Sequence, residues 1–154
     1  MENEREIQLV TFKLKDEEFG VDVLKVERIN PMTEITKVPR APEYLLGVVN
    51  RMGQIIPIID LRVRLGFESR EADRNTRVID YKLGDTLVGF VVDEVTGVKR
   101  ISKEIIEPPP PIIAGIESEY IKGVGKLETN LIILLDLDKL LTPKELQRVR
   151  EIAK

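Results

Sequence analysis

Laid on itself, the chain repeats, and this repeat constrains the fold more than any other feature. With a shift of 76, residues 43–65 (EYLLGVVNRMGQIIPIIDLRVRL) fall on residues 119–141 (EYIKGVGKLETNLIILLDLDKLL), and 8 of the 23 positions are identical. Among them are Glu43/Glu119, Tyr44/Tyr120, Gly47/Gly123, Val48/Val124, Asp60/Asp136 and Leu61/Leu137. With a shift of 69, LVTFKLKDEEFGV from Leu9 falls on VIDYKLGDTLVGF from Val78. A shift of 72 pairs Val23, Val26, Arg28 and Ile29 with Val95, Val98, Arg100 and Ile101. The segments keep their order in both copies. Glycines and a Glu-Tyr pair coincide along with the apolar residues, so chance matching of two Ile/Val-rich strands is a poor explanation. The reading is a duplication, with halves at residues 7–66 and 76–141 and strand exchange between them left open. A half of this size has a marginal core alone. The two are expected to pack on a shared apolar layer, with a groove between them where a partner could bind.

The elements inside each half follow from residue type. The chain has 18 Ile and 16 Val but only 4 Ala, which favours strands over helices. Residues 9–14 alternate from Val10 onward. Residues 54–61 and 130–137 are near-continuous apolar runs, the pattern of strands covered on both faces. Residues 77–83 and 86–95 read as a hairpin turning at Gly84-Asp85. The predicted architecture is all-β, two small barrels, each half supplying four or five short strands. A helix is predicted from Pro143 to the C-terminus, with Thr142 as N-cap and Glu145 completing a capping box. A short helix is expected at residues 61–65, ended by Gly66. Residues 67–76, charged and expected to be exposed, link the halves.

Composition then limits the chemistry. With no Cys and no His, there is no disulfide framework, no thiolate nucleophile or thiolate zinc site, no serine triad and no imidazole base. A net charge of −3 argues against nucleic acid. No phosphate-loop pattern occurs. Gly123-Val124-Gly125 is an isolated G-x-G, and the repeat makes Gly123 a turn glycine. Asp60, Asp136 and Asp138 are the best candidates for a metal-dependent hydrolase. The equivalence of Asp60 and Asp136 favours a strand-end capping role instead. Residues 107–111 (EPPPP) read as a rigid connector inside a folded half, with a polyproline ligand as the alternative. Arg62, Arg64, Arg70, Arg74 and Arg77 form a basic cluster, a solvated face or a rim for an acidic partner helix. Met52, in the apparent turn Asn50-Arg51-Met52-Gly53, is either an adaptable contact for a partner or a buried loop anchor. The first six residues are acidic without an apolar stretch and do not read as a signal peptide. The longest apolar runs are too short to span a bilayer, so a cytoplasmic chain without direct membrane insertion is expected.

Five stretches, in order along the chain, carry a resemblance: EFGVDVLKVERI, GVVNRMGQIIPIIDLRVRLG, LVGFVVDEVTGV, EPPPPIIAGIESEYIKGVGKLE and LIILLDLDKLL. Together they resemble the CheW family of chemotaxis coupling proteins over essentially the full length. The resemblance implies two SH3-like five-stranded barrels around a common core and a short C-terminal helix. It implies a non-enzymatic adaptor, without cofactor or metal, joining the cytoplasmic tips of methyl-accepting chemoreceptors to the regulatory domain of a CheA-type histidine kinase. Such an adaptor would be recruited to receptor arrays at the inner face of the membrane. For the receptor side it implies Val26, Ile29, Asn50, Arg51, Met52, Gly53, Val78 and Val88. For the kinase side it implies Val95, Val98 and Gly123. Two positions depart from the family pattern. Met52 stands where arginine is usual, with Arg51 one place earlier, and Arg28 stands where an acid is common. A detached CheA-like regulatory domain is the alternative within the same fold. The short acidic N-terminus and the capped terminal helix argue for a freestanding chain.

Overall fold

The computed structural model describes residues 5–153, so residues 1–4 and 154, where the signal-peptide reading and the helix expectation begin and end, lie outside it. Strands dominate because the β-branched runs form strands where they were expected to. The first hairpin joins β1 (Glu6–Leu14) to β2 (Glu17–Asp22), and a one-turn 3-10 segment leads into β3 (Val26–Pro31). A long loop precedes the hairpin of β4 (Leu45–Arg51) and β5 (Gln54–Asp60), and α1 (Leu61–Arg64) follows directly. The second copy begins with the hairpin of β6 (Arg77–Leu83) and β7 (Thr86–Val92), then β8 (Glu94–Ser102). Short pieces follow: β9 (Ile106–Glu107), β10 (Ile112–Ile113) and β11 (Ile116–Glu117). The chain ends with β12 (Ile121–Lys126), β13 (Leu131–Leu135) and α2 (Pro143–Ile152). The capping box of α2 is formed, with Thr142 Oγ1 accepting from Glu145 N and Glu145 Oε1 accepting from Thr142 N.

Two sheets carry the repeat. One has the order β8-β1-β2-β13-β12-β9, the other β3-β6-β7-β5-β4. Leaving out the short β9, each strand of one sheet has its repeat mate at the same place in the other. The registers agree as well. Thr11 faces Gly20 in the first sheet as Asp80 faces Gly89 in the second. Leu134 lies beside Gly20 across a parallel pair, as Ile58 lies beside Gly89. In both sheets the edge strand slips by one residue, leaving out Thr96 in β8 and Glu27 in β3.

These pairings correct the division of the chain. The sheets are not residues 7–66 and 76–141. β1 and β2 of the first half complete the sheet of the second half, and β6 and β7 complete the sheet of the first half. The strand exchange left open by the sequence is therefore what the topology shows. They also correct one alignment. Val98 pairs with Val10 as Ile29 pairs with Ile79, and Val95 with Phe12 as Val26 with Tyr81. The shift of 69 thus continues through β3 and β8, in place of 72. A run of Val and Ile matches almost as well at neighbouring shifts, and only the hydrogen-bond ladder selects one.

Packing produces three apolar cores. The largest lies between the sheets and draws on both, with Phe12, Phe19, Tyr81 and Phe90 at its centre. Phe12 stacks on Phe19 with ring centroids 5.8 Å apart, and Tyr81 meets Phe90 edge-on at 6.0 Å. Each barrel also has a small interior of its own. In the first it is Leu9, Ile101, Ile132 and Leu134; in the second, Val49, Ile56, Ile58 and Val78. Gly47 and Gly123 sit in strands rather than turns, which corrects the reading of Gly123. A Cβ on Gly47 would lie 2.1 Å from the Thr36 carbonyl oxygen, and one on Gly123 2.7 Å from Ile106 Cγ2. Both glycines let the segment that closes the barrel cross over β4 or β12. Helix α2 leaves the first barrel and docks on the second. Val149 is buried in the shared core, and Arg150 reaches Thr86 and Asp85 in the β6–β7 hairpin. Among the described residues no helix is long and apolar enough to cross a membrane.

Candidate partner-binding surfaces

The residues expected on the two partner faces fall on equivalent strands. β3 and β8 are the outermost strands on the same side of their sheets. Val26 and Val95 are mates, and both are half-buried against the shared core. Ile29 and Val98 are also mates, exposed to 40% and 58%. Leu24, in the 3-10 turn before β3, is 75% exposed. Each barrel thus shows an apolar side chain on an edge strand, Ile29 on one and Val98 on the other. Apolar residues placed there are available to a partner.

Three expected contact residues are not at the surface. Val78 belongs to the interior of the second barrel and Val88 to the shared core, both essentially inaccessible. Val88 occupies the place held by Phe19 in the other half, and Phe90 the place held by Val21, so the bulky rings alternate across the core. Gly123 is buried beneath β9. These three shape the barrels and offer no side chain to a partner.

The β4–β5 hairpin turns through Met52 and Gly53, at φ of 54° and 91°. That is the left-handed pair of a two-residue turn suited to strand twist. Asn50 Oδ1 accepts from Gly53 N at 2.7 Å and fixes the loop. Met52 is 94% exposed, which rules out the buried-anchor reading. Arg51 points inward and pairs with the buried Asp80. The sequence reading missed Asp80, although a lone acid inside the run Arg77-Val78-Ile79-Asp80-Tyr81 was the available signal. The first barrel carries a polar cluster in the corresponding region. Glu18 there accepts from Thr96, Lys99 and Asn130, and the Thr96 hydroxyl oxygen lies 2.7 Å from that of the buried Thr11, the mate of Asp80. Burial alone would push the Glu18 carboxyl up, but the bonds from Thr96, Lys99 and Asn130 hold it below the usual range.

The other candidate groups are spent within the fold. Asp60 caps α1 by accepting from Arg62 N, and burial outweighs that bond and raises its carboxyl. Asp136 occupies the N-cap position before the last 3-10 turn without a side-chain cap bond, so the mates share a place but not the interaction. Their backbones do match: Asp60 N donates to Tyr44 O and Asp136 N to Tyr120 O. Asp138 pairs with Lys25. Among the described residues, no three carboxylates gather where a cation could sit.

The basic cluster is largely neutralised from within. Arg62 grips Asp93 through Nε and Nη2 at 2.7 and 2.5 Å, Arg70 joins Asp73 and Asp93, and Arg77 donates to the Arg74 carbonyl. Arg64 lies between the repeat mates Tyr44 and Tyr120, 5.7 and 5.6 Å from their ring centres, and pairs with Glu145 of α2. Arg62, Arg64 and Arg70 are therefore engaged by carboxylates of the fold, Arg77 bonds local carbonyls, and Arg74 is exposed.

Known proteins share this architecture and sequence. The family model of the CheW-like domain matches residues 8–145. The chain is 38% identical over 147 residues to a chemotaxis protein CheW of Klebsiella aerogenes, covering 96% of this chain and 89% of that one. It is 37% identical over 158 residues to a chemotaxis protein CheW of Treponema pallidum, covering 97% and 91%. A crystal structure of the scaffolding protein TtCheW from Thermoanaerobacter tengcongensis superposes with a TM-score of 0.82 at 34% identity, covering 88% of each chain. The two packed SH3-like barrels, the order of the motifs and these matches establish that the chain belongs to the CheW family.

Proposed function

We propose that this chain is a non-enzymatic adaptor that couples the helical tips of transmembrane chemoreceptors to the regulatory domain of a CheA-type histidine kinase. The observation that carries the reading, beside family membership, is the pair of equivalent edge strands with exposed apolar mates, Ile29 and Val98. An adaptor needs two faces, and this fold supplies two from one repeat. The receptor face comprises Val26 and Ile29 of β3 with the Asn50-Met52-Gly53 turn; the kinase face comprises Val95 and Val98 of β8. A helical hairpin laid against the first face would make a helix-in-groove contact. Apolar side chains supply most of the energy of such contacts and charges set their register. Assembly in an array supplies avidity, so each isolated contact can be weak.

The test is a retention assay with purified receptor-tip and kinase regulatory fragments. Ile29→Asp is expected to reduce receptor-fragment affinity about tenfold or more and to spare the kinase fragment, with Val98→Asp doing the reverse. If the unaltered chain retains neither fragment at high concentration, the reading fails. Equal effects of both variants on both partners would refute the assignment of faces.

A further inference from the structure

The turn that carries Met52 holds a positive charge that does not reach its surface. Arg51 precedes Met52, yet its guanidinium turns back into the second barrel. Its Nε lies 2.8 Å from Asp80 Oδ2, and Nη2 donates to Oδ1 at 3.3 Å. Asn30 of β3 donates to Oδ2 at 3.0 Å. Both carboxylate oxygens are engaged, with the Asp80 side chain 2% exposed and that of Arg51 12%. The guanidinium thus donates one hydrogen bond, from Nη2, while Nε lies in ionic contact without donating, and its charge faces the carboxylate at close range. Withdrawing it would leave a buried carboxylate without its counter-charge. The cation is therefore committed to Asp80.

Its neighbour goes the other way. Met52 adopts a left-handed backbone that side-chain-bearing residues avoid. Lys15, Arg40 and Ala114 share that region; Ala114 opens a similar two-residue turn with Gly115, while Lys15 and Arg40 each have a tertiary contact there. Lys15 lies over the Phe67 ring at 5.0 Å, and the Arg40 carbonyl accepts from Arg148. Met52 is almost wholly exposed and gains no comparable burial. The hairpin turn itself requires that backbone; what is particular to Met52 is an apolar side chain left 94% exposed at its tip. Arg28, opposite Asp80 on β3, is an exposed cation.

We infer that Asp80 is a positioning residue that sets the specificity of this turn. By holding Arg51 inside the barrel it leaves an uncharged thioether at the tip, and the helical partner meets that tip with an apolar patch, not a carboxylate. Any carboxylate on the same partner is read by Arg28. The inference rests on the coupling reading above and assigns the chemistry of one part of its receptor face.

Two measurements on the full chain test it. In the free protein, the guanidinium N–H groups of Arg51 are expected to be protected from exchange at neutral pH, by burial and by the bond from Nη2 to Asp80, and Asp80→Asn to abolish that protection. An unprotected Arg51 in the unaltered chain overturns the clamp. The second measurement is binding of a receptor-tip helical hairpin between about 50 and about 500 mM salt, a range that spans weak to strong screening. The paired variant Arg51→Gln/Asp80→Asn, checked for folding by its amide spectrum, is expected to keep affinity within about twofold and an unchanged salt slope. Met52→Ala is expected to lose about tenfold, Met52→Leu to retain binding, and Arg28→Gln to flatten the salt slope. A flattened slope and a tenfold loss in the paired variant would place Arg51 on the partner and overturn the inference. If the unaltered chain does not bind the hairpin, the coupling reading falls and the partner half of the inference with it, while exchange at Arg51 still decides the clamp.

Discussion

Gly20 and Gly89 are repeat mates facing the interiors of the two barrels, and alanine should affect them differently. A Cβ on Gly89 would lie 2.6 Å from Ile58 Cδ1, 2.8 Å from Val78 Cγ1 and 3.3 Å from Asp80 Oδ1. Ile58 Cδ1 can swing away, being the end of a flexible chain. Val78 Cγ1 cannot, because a β-branched side chain in a strand has little χ1 freedom, and Asp80 is held by Arg51 and Asn30. Overpacking of this kind costs about 1–3 kcal/mol. Relieving a glycine in mid-strand returns about 0.5–1 kcal/mol, so Gly89→Ala should cost about 1–2 kcal/mol net.

Gly20 is less constrained. Its nearest neighbour would be Leu9 Cδ1 at 2.9 Å, with Leu9 Cβ and Ile132 Cγ2 at 3.3 Å. A leucine methyl group moves by rotation about χ2, so the strain and the relief roughly cancel. For a chain of this size, 1 kcal/mol moves Tm by about 2–4 °C. Gly89→Ala should therefore lower Tm by about 3–6 °C and Gly20→Ala by less than about 2 °C. Thermal and urea unfolding followed by circular dichroism, at one pH and with unchanged m-value, reads both. If Gly20→Ala falls as far as Gly89→Ala, the stiffness of Val78 is not what separates the sites. If both variants gain stability, the barrel interiors are looser than these distances imply.

Three further outcomes are expected. Met52→Asn, which suits a left-handed turn position, should raise stability by about 1 kcal/mol in urea titrations while weakening receptor binding; unchanged stability would remove the strain argument. Asp93 and Asp60 should act on acid stability with opposite signs. Burial tends to raise the Asp93 carboxyl, but the Arg62 and Lys15 bonds with the charges of Arg62 and Arg70 bring it below the ordinary value. Its contribution is present above about pH 3.9 and is lost as pH falls through the lower folded value. Burial raises Asp60 past the effect of its cap bonds, so its contribution is present below about pH 3.9 and fades as pH rises through the folded value. Asp93→Asn should flatten the acid limb of stability against pH. Asp60→Asn, which keeps a capping oxygen, should be as stable as the parent or more so at neutral pH, and a clear loss there would contradict the sign. Arg64→Ala should cost about 1–2 kcal/mol, from two ring contacts and the Glu145 pair, and should change the near-ultraviolet signal of Tyr44 and Tyr120.

What the residues alone disclosed was mostly local. The β6–β7 hairpin, the short helix after Asp60 and the capped α2 were visible because each is encoded by neighbours in sequence. The exchange of hairpins was not, since nothing near Phe19 says that its partner is Ile133 on a parallel strand from the other half. The misplaced alignment of β3 on β8 has a related cause: the slips at Glu27 and Thr96 are invisible without the ladder. Val78 and Val88 were placed at a surface by the resemblance alone, and an apolar strand covered on both faces has no polar side by which the sequence could have corrected it. Ile29 and Val98, named through the resemblance, and Met52, left open between a partner contact and a buried anchor, are exposed, while Asp80, which pairs with Arg51, went unread in an otherwise apolar strand.

The order of the strands also sets an order of assembly. All strands of the second barrel lie within one unbroken stretch, from the start of β3 to the end of β7. β1 and β2 lie before that stretch and the rest of the first barrel lies after it. As the chain leaves the ribosome, the second barrel can close as soon as β7 emerges. The hairpin made first must wait for β8, β12 and β13 before it has neighbours on both sides. Until then Phe12, Phe19 and the inward residues of β1 are covered on one side only, by the barrel already formed. β1 and β2 are therefore among the last strands to be sealed, and a chain interrupted after β7 would hold every strand of one sheet beside one unpaired hairpin.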